Sequence, residues 1–64
     1  MEILLNNKNE SIPGREQIKV EELLELKKYT FKFLVVKING RVIKPEEYPV
    51  AIISDGDKVQ VLHL

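Results

Sequence analysis

Apolar residues recur along this chain in two rhythms. Ile3 and Leu5 fall on one side of an extended segment and Leu4 on the other, so Glu2-Ile3-Leu4-Leu5-Asn6 predicts a strand. Asn7-Lys8-Asn9 is polar and tolerates unusual backbone angles, which predicts a turn, and Glu10-Ser11-Ile12 returns as a short second strand. Pro13-Gly14 ends it, because proline cannot donate to a ladder and glycine interrupts one. The rhythm then changes. Val20, Leu23, Leu24 and Lys27 stand at i, i+3, i+4 and i+7, which puts three apolar side chains on one stripe of a helix over 19–28. Glu21, Glu22 and Glu25 fall on its outer face, and early acids with Lys27-Lys28 at the end suit the helix dipole. Lys19 takes the N-cap position, where Ser, Thr or Asp would bond the free amides, so a frayed first turn is expected.

Residues 31–38 are rich in aromatic and β-branched side chains and predict a strand. Asn39-Gly40 follows, then Arg41-Val42-Ile43. An Asn-Gly pair between apolar runs signals a hairpin, because a type I′ turn needs positive φ at both central positions. Lys44-Pro45-Glu46-Glu47-Tyr48-Pro49 reads as a connection with one helical turn, and the residues before its prolines should be extended. Val50-Ala51-Ile52-Ile53 is a short apolar run, Ser54-Asp55-Gly56-Asp57 a tight turn, and residues 58–64 a final alternating strand.

The predicted order is β-β-α-β-β-β, one α+β domain over residues 1–64. Two hairpins joined by a helix, with the last strand between the outer ones, is the β-grasp (ubiquitin-like) arrangement. Its mixed sheet of four to five strands has the helix packed on one face. Alternation then sets the phase. If Ile3/Leu5, Leu34/Val36/Ile38 and Val59/Val61 face the helix, then Leu4, Val35 and Leu62 face the other way, and Leu64 extends them. The first, last and third strands are neighbours in such a sheet, so these residues are expected to form one apolar patch. Contiguous apolar surface on a small protein marks an interface, and Leu4, Val35, Leu62 and Leu64 are the candidate partner-binding residues.

Composition narrows the chemistry. The chain has 64 residues, and ten Lys+Arg balance ten Asp+Glu. That balance argues against binding nucleic acid or a membrane through bulk charge. Its apolar runs fall far short of the roughly 20 residues needed to span a bilayer, and no leader peptide is expected. Cysteine is absent and one histidine is present, which excludes disulfides, thiolate metal sites and a multi-histidine zinc site. A domain this small hides roughly 60% of its unfolded surface. It leaves little room for the pocket of about 300 Å³ or more that a small-molecule site needs.

No catalytic set stands out. Ser11, Thr30 and Ser54 lack a local arrangement that would activate a nucleophile. Glu21-Glu22-Glu25 reads as a solvated helix face, and His63 as a strand residue. Asp55-Gly56-Asp57 lacks the remaining oxygens of a calcium loop and reads as a turn with glycine at positive φ. No catalytic residue, metal ligand or cofactor is expected.

Several stretches in order along nearly the whole chain resemble ThiS-type sulfur carrier proteins. They are Met1-Glu2-Ile3-Leu4-Leu5-Asn6, Val20-Glu21-Glu22-Leu23-Leu24, Val36-Lys37-Ile38-Asn39-Gly40-Arg41-Val42-Ile43, Pro45-Glu46-Glu47-Tyr48 and Asp55-Gly56-Asp57-Lys58-Val59. The resemblance implies a β-grasp fold and a cytoplasmic, non-enzymatic role in thiamine (thiazole) biosynthesis. It also implies two partners. A ThiF-like adenylyltransferase activates a C-terminal Gly-Gly that becomes a thiocarboxylate, and a ThiG-like thiazole synthase receives the sulfur. The sequence stops at His63-Leu64, and the Gly-Gly tail is expected beyond it. No residue of the sequence carries the sulfur. A MoaD-like carrier for molybdopterin synthesis and a β-grasp interaction module without sulfur chemistry are the alternatives.

Overall fold

The computed structural model describes residues 1–30 and 33–63. Among them the chain forms β1 (Glu2–Leu5), β2 (Lys8–Ser11), β3 (Gln17–Lys19), α1 (Val20–Leu26), β4 (Leu34–Ile38), β5 (Arg41–Ile43), a 3-10 turn (Pro45–Glu47), β6 (Ile52–Ser54) and β7 (Lys58–His63). Two sheets result, one ordered β2-β1-β7-β4-β5 and one pairing β3 with β6.

Asparagines make both hairpins. Asn39 and Gly40 have φ of 51° and 85°, the expected type I′ turn, and set Ile38 opposite Arg41 and Val36 opposite Ile43. The first hairpin turns earlier than the sequence suggests. Asn6 and Asn7 both take positive φ, 49° and 67°, so Asn6 leaves the strand while Lys8 and Asn9 join β2. Asparagine tolerates the left-handed region better than most residues, and two in a row do the work of Asn-Gly. β7 then lies between the hairpins, parallel to β1 and antiparallel to β4, as expected.

The core sits between this sheet and α1. Ile3, Leu5, Val36, Ile43, Val59 and Val61 are buried from the sheet side and Val20 and Leu23 from the helix, with Leu34 and Ile38 half-buried against them. The inward phase of all three predicted strands therefore holds. Each such side chain contributes about 1.5–3 kcal/mol on burial.

Local signals misplace several ends. α1 spans Val20–Leu26, shorter than 19–28. Lys28 takes φ 56°, its N–H donates to the Glu25 carbonyl at 3.1 Å, and the Tyr29 N–H donates to the Leu24 carbonyl at 2.9 Å. This closes the helix in the way glycine usually does and leaves Lys27 and Lys28 past its last turn. The first turn is tied down rather than frayed. Val20 N–H donates to the Ala51 carbonyl (3.0 Å), Glu21 N–H to the Tyr48 carbonyl (3.1 Å), and Lys19 N–H to Glu22 Oε1 (3.0 Å). Distant backbone supplies the acceptors that a capping side chain lacks.

β3 was not foreseen. Ile18 is its lone apolar residue, and it pairs with Ile53 of β6, both buried. Of the Val50-Ala51-Ile52-Ile53 run, Val50 lies in a turn and β6 begins at Ile52. β4 begins at Leu34, with Phe33 in a bend, while Phe31 and Lys32 lie outside the described residues. The predicted tight turn at Ser54-Asp55-Gly56-Asp57 is present. Asp57 Oδ2 accepts the Ser54 N–H at 2.8 Å, Asp55 Oδ1 accepts the Glu2 N–H at 2.7 Å, and Gly56 takes φ 85°. No helix among the described residues is long and apolar enough to cross a membrane.

Candidate docking surface

The face of the sheet turned away from α1 carries the candidate residues. Val35 stands directly opposite Leu62, and Lys37 lies between Gln60 of β7 and Val42 of β5. Leu62 is 42% exposed and Val42 53%. Residues on alternate positions share a face, so Val42 lies diagonally beside Val35 on this side. Val35, Leu62 and Val42 form an apolar cluster, with Lys37 and Gln60 alongside.

Leu4 shares the face but not the cluster. It sits opposite Lys58 on β7. Leu62 is four positions further along, about 13 Å at roughly 3.3 Å per strand residue. Lys58 and Gln60 lie between them. Leu64 lies outside the described residues. Val42 was missed in the sequence, although the same alternation through Arg41-Val42-Ile43 pointed it outward.

The cluster borders the end of β7, and β7 is held from both sides. On the β4 side it pairs continuously from Val59 opposite Ile38 to His63 opposite Leu34. On the β1 side the ladder stops after Leu5 opposite Val59. Asn6 prolongs it. Its N–H donates to the Val59 carbonyl at 2.9 Å, its Oδ1 accepts the Val61 N–H at 2.8 Å, and its Nδ2 donates to the Val61 carbonyl at 3.2 Å. A carboxamide offers the donor and acceptor of a peptide group, so this side chain substitutes for the next strand residue. At the other end of β7, Asn39 Oδ1 accepts the Lys58 N–H at 2.9 Å and Asn39 Nδ2 donates to Asp57 Oδ1 at 3.1 Å.

The perturbed acids serve the fold. Glu22 is held below the usual carboxylate range, first by the Lys19 N–H and then by the Arg15 guanidinium. Glu47 is lowered in the same way, first by the Lys44 N–H and further by Arg41. Both cap the start of a helical turn. Burial pushes the Tyr48 phenol up. Among the described residues no group of three His, Cys, Asp or Glu could hold a metal ion.

A mixed sheet with one helix across one face and the last strand between two hairpins defines a ubiquitin-like β-grasp protein. The chain belongs to the ThiS family, whose family model matches residues 3–64. It is similar to the crystal structure of a thiamine biosynthesis protein (ThiS) from Geobacter metallireducens, with a TM-score of 0.94 and 31% identity over 100% of this chain and 94% of that one. The NMR solution structure of a thiamine biosynthesis protein from Geobacter metallireducens superposes with a TM-score of 0.82 and 31% identity, over 100% and 83% of the two chains. No curated protein matches the sequence.

Proposed function

We propose that this chain is a sulfur carrier of thiamine biosynthesis, a protein cosubstrate rather than an enzyme. The observation that carries this reading is the likeness of the whole domain to a thiamine biosynthesis protein, at a TM-score of 0.94. On this reading a Gly-Gly segment follows Leu64. Its carboxylate oxygen attacks the α-phosphorus of ATP on a ThiF-like adenylyltransferase, releasing pyrophosphate. A sulfur donor then displaces AMP from the acyl carbon and leaves a thiocarboxylate. A ThiG-like thiazole synthase in the cytoplasm takes the sulfur.

No side chain of this chain makes or breaks a bond in that sequence. Its contribution is presentation. β7 is paired on both flanks up to Val61, so whatever follows leaves a fixed strand rather than a loose one. Glycines lack side chains and fit a narrow channel. The partners dock on the open face through Val35 and Leu62, with Val42 beside them and Leu4 as an outlying contact, and Leu64 joins the docking residues.

The test is intact-mass spectrometry. The protein, carried to its natural stop, is incubated with a ThiF-like enzyme, ATP and a sulfur donor. The reading expects a mass gain equal to one oxygen replaced by one sulfur, dependent on ATP. An unchanged mass overturns it.

A further inference from the structure

β2 ends the sheet order β2-β1-β7-β4-β5, so among the described residues one of its edges has no strand beside it. Met1 and Ile12 exchange two bonds: the Ile12 N–H donates to the Met1 carbonyl at 2.8 Å, and the Met1 amine to the Ile12 carbonyl at 2.9 Å. Direction alternates along an antiparallel ladder, so Lys8, Glu10 and Ile12 turn their peptide groups toward β1. Asn9 and Ser11 turn theirs to the open edge.

Beside this edge, β2, the loop over 13–16 and α1 border an open groove of about 800 Å³. Its apolar lining includes Ile12, Pro13, Ile18 and Leu26, and Leu26 is 59% exposed. Ion pairs cross its rim, Lys27 to Glu10 at 3.0 Å and Arg15 to Glu22 at 3.1 Å. Glu25 also lines it and, among the described residues, has no ion-pair partner. The lining therefore carries three carboxylates against two cations.

We propose that the β2 edge and this groove dock an extended peptide segment of a partner protein whose alternate, groove-facing positions carry apolar residues and one lysine or arginine. The outward peptide groups of Asn9 and Ser11 accept an additional strand. Alternate apolar side chains of that strand enter the groove over Ile12, Ile18 and Leu26, and a cation meets Glu25. This surface is separate from the open face and stands whether or not the carrier reading holds.

The probe is a blocked peptide of about eight residues with valines and one lysine on one set of alternate positions and serines on the other, a length within the usual strand range. It is titrated into the isotope-labelled full chain and followed by NMR. Saturable shifts at the Asn9 and Ser11 amides, with at least tenfold slower hydrogen exchange there, are expected. Proline is tolerated where an edge N–H faces solvent, so Asn9→Pro should keep its melting temperature and lose at least tenfold in peptide affinity. Glu25→Lys should weaken the same peptide severalfold. Three results overturn the proposal: no saturable shift at Asn9 and Ser11, shifts confined to Val35 and Leu62, or undiminished binding by both variants. Protection of Asn9 and Ser11 that grows with protein concentration before peptide is added also overturns it, by assigning the edge to a second copy of this chain.

Discussion

Replacing Asn6 by glycine separates the two duties of that residue. Glycine keeps the backbone at its φ of 49° without strain, so the hairpin turn survives. The side-chain clamp does not survive. Two bonds to the part-buried Val61 peptide group disappear, at 2.8 and 3.2 Å. A hydrogen bond contributes about 0.5–1.5 kcal/mol net, so the loss should total about 1–3 kcal/mol. For a domain of this size each kcal/mol moves the melting temperature by about 4–8 °C. Urea unfolding reads the free energy, and the m-value should stay constant because the surface exposed on unfolding hardly changes. Native-state hydrogen exchange supplies the local readout, with faster exchange at the Val61 amide. Asn6→Asp keeps the acceptor for the Val61 N–H and removes the donor, so it should fall between wild type and glycine. If Asn6→Gly lies within about 0.5 kcal/mol of wild type, the usual range of an inconsequential surface change, and Val61 stays protected, the clamp is not what holds β7.

Three further outcomes follow from the same structure. Val61→Ala should destabilise the domain by about 1–3 kcal/mol through lost burial and a cavity, whereas Leu62→Glu should leave folding nearly intact; equal melting losses would show that the phase of β7 is wrong. Lys28→Gly should raise stability by about 1 kcal/mol, because lysine holds a left-handed conformation there that glycine adopts freely; thermal unfolding checks it. Glu22 and Glu47 have folded pKa values below the reference of 4.5, so the stability they contribute is present above that pH and is lost as pH falls through the folded values. Denaturant midpoints near neutrality and in acid should differ less in Glu22→Gln and Glu47→Gln than in the wild type.

What could be read from the sequence was local. Asn39-Gly40 announces its turn because both required angles sit in adjacent residues. The inward set of β7 shows in the plain alternation of Val59 and Val61. β3 was invisible because Ile18 is a single apolar residue whose partner, Ile53, stands far along the chain. The firmness of the α1 start was hidden for the same reason, since its acceptors belong to Ala51 and Tyr48. On the open face, alternation gave the side of the sheet but not the register. Which residues share a face follows from parity, whereas which ones touch depends on who stands opposite whom. Leu4 opposite Lys58 and Val35 opposite Leu62 are therefore separated, although all three point the same way.

The rate of thiocarboxylate formation on the Leu62→Glu variant puts the account to its most direct trial. The variant, carried to its natural stop, is compared with the wild type at matched folded fraction and with Val50→Glu as an exposed control in the turn before β6. The account predicts at least a tenfold slower appearance of the sulfur-substituted mass for Leu62→Glu, equivalent to about 1.4 kcal/mol of lost docking, and an unchanged rate for Val50→Glu. A Leu62→Glu protein converted as fast as wild type would contradict it.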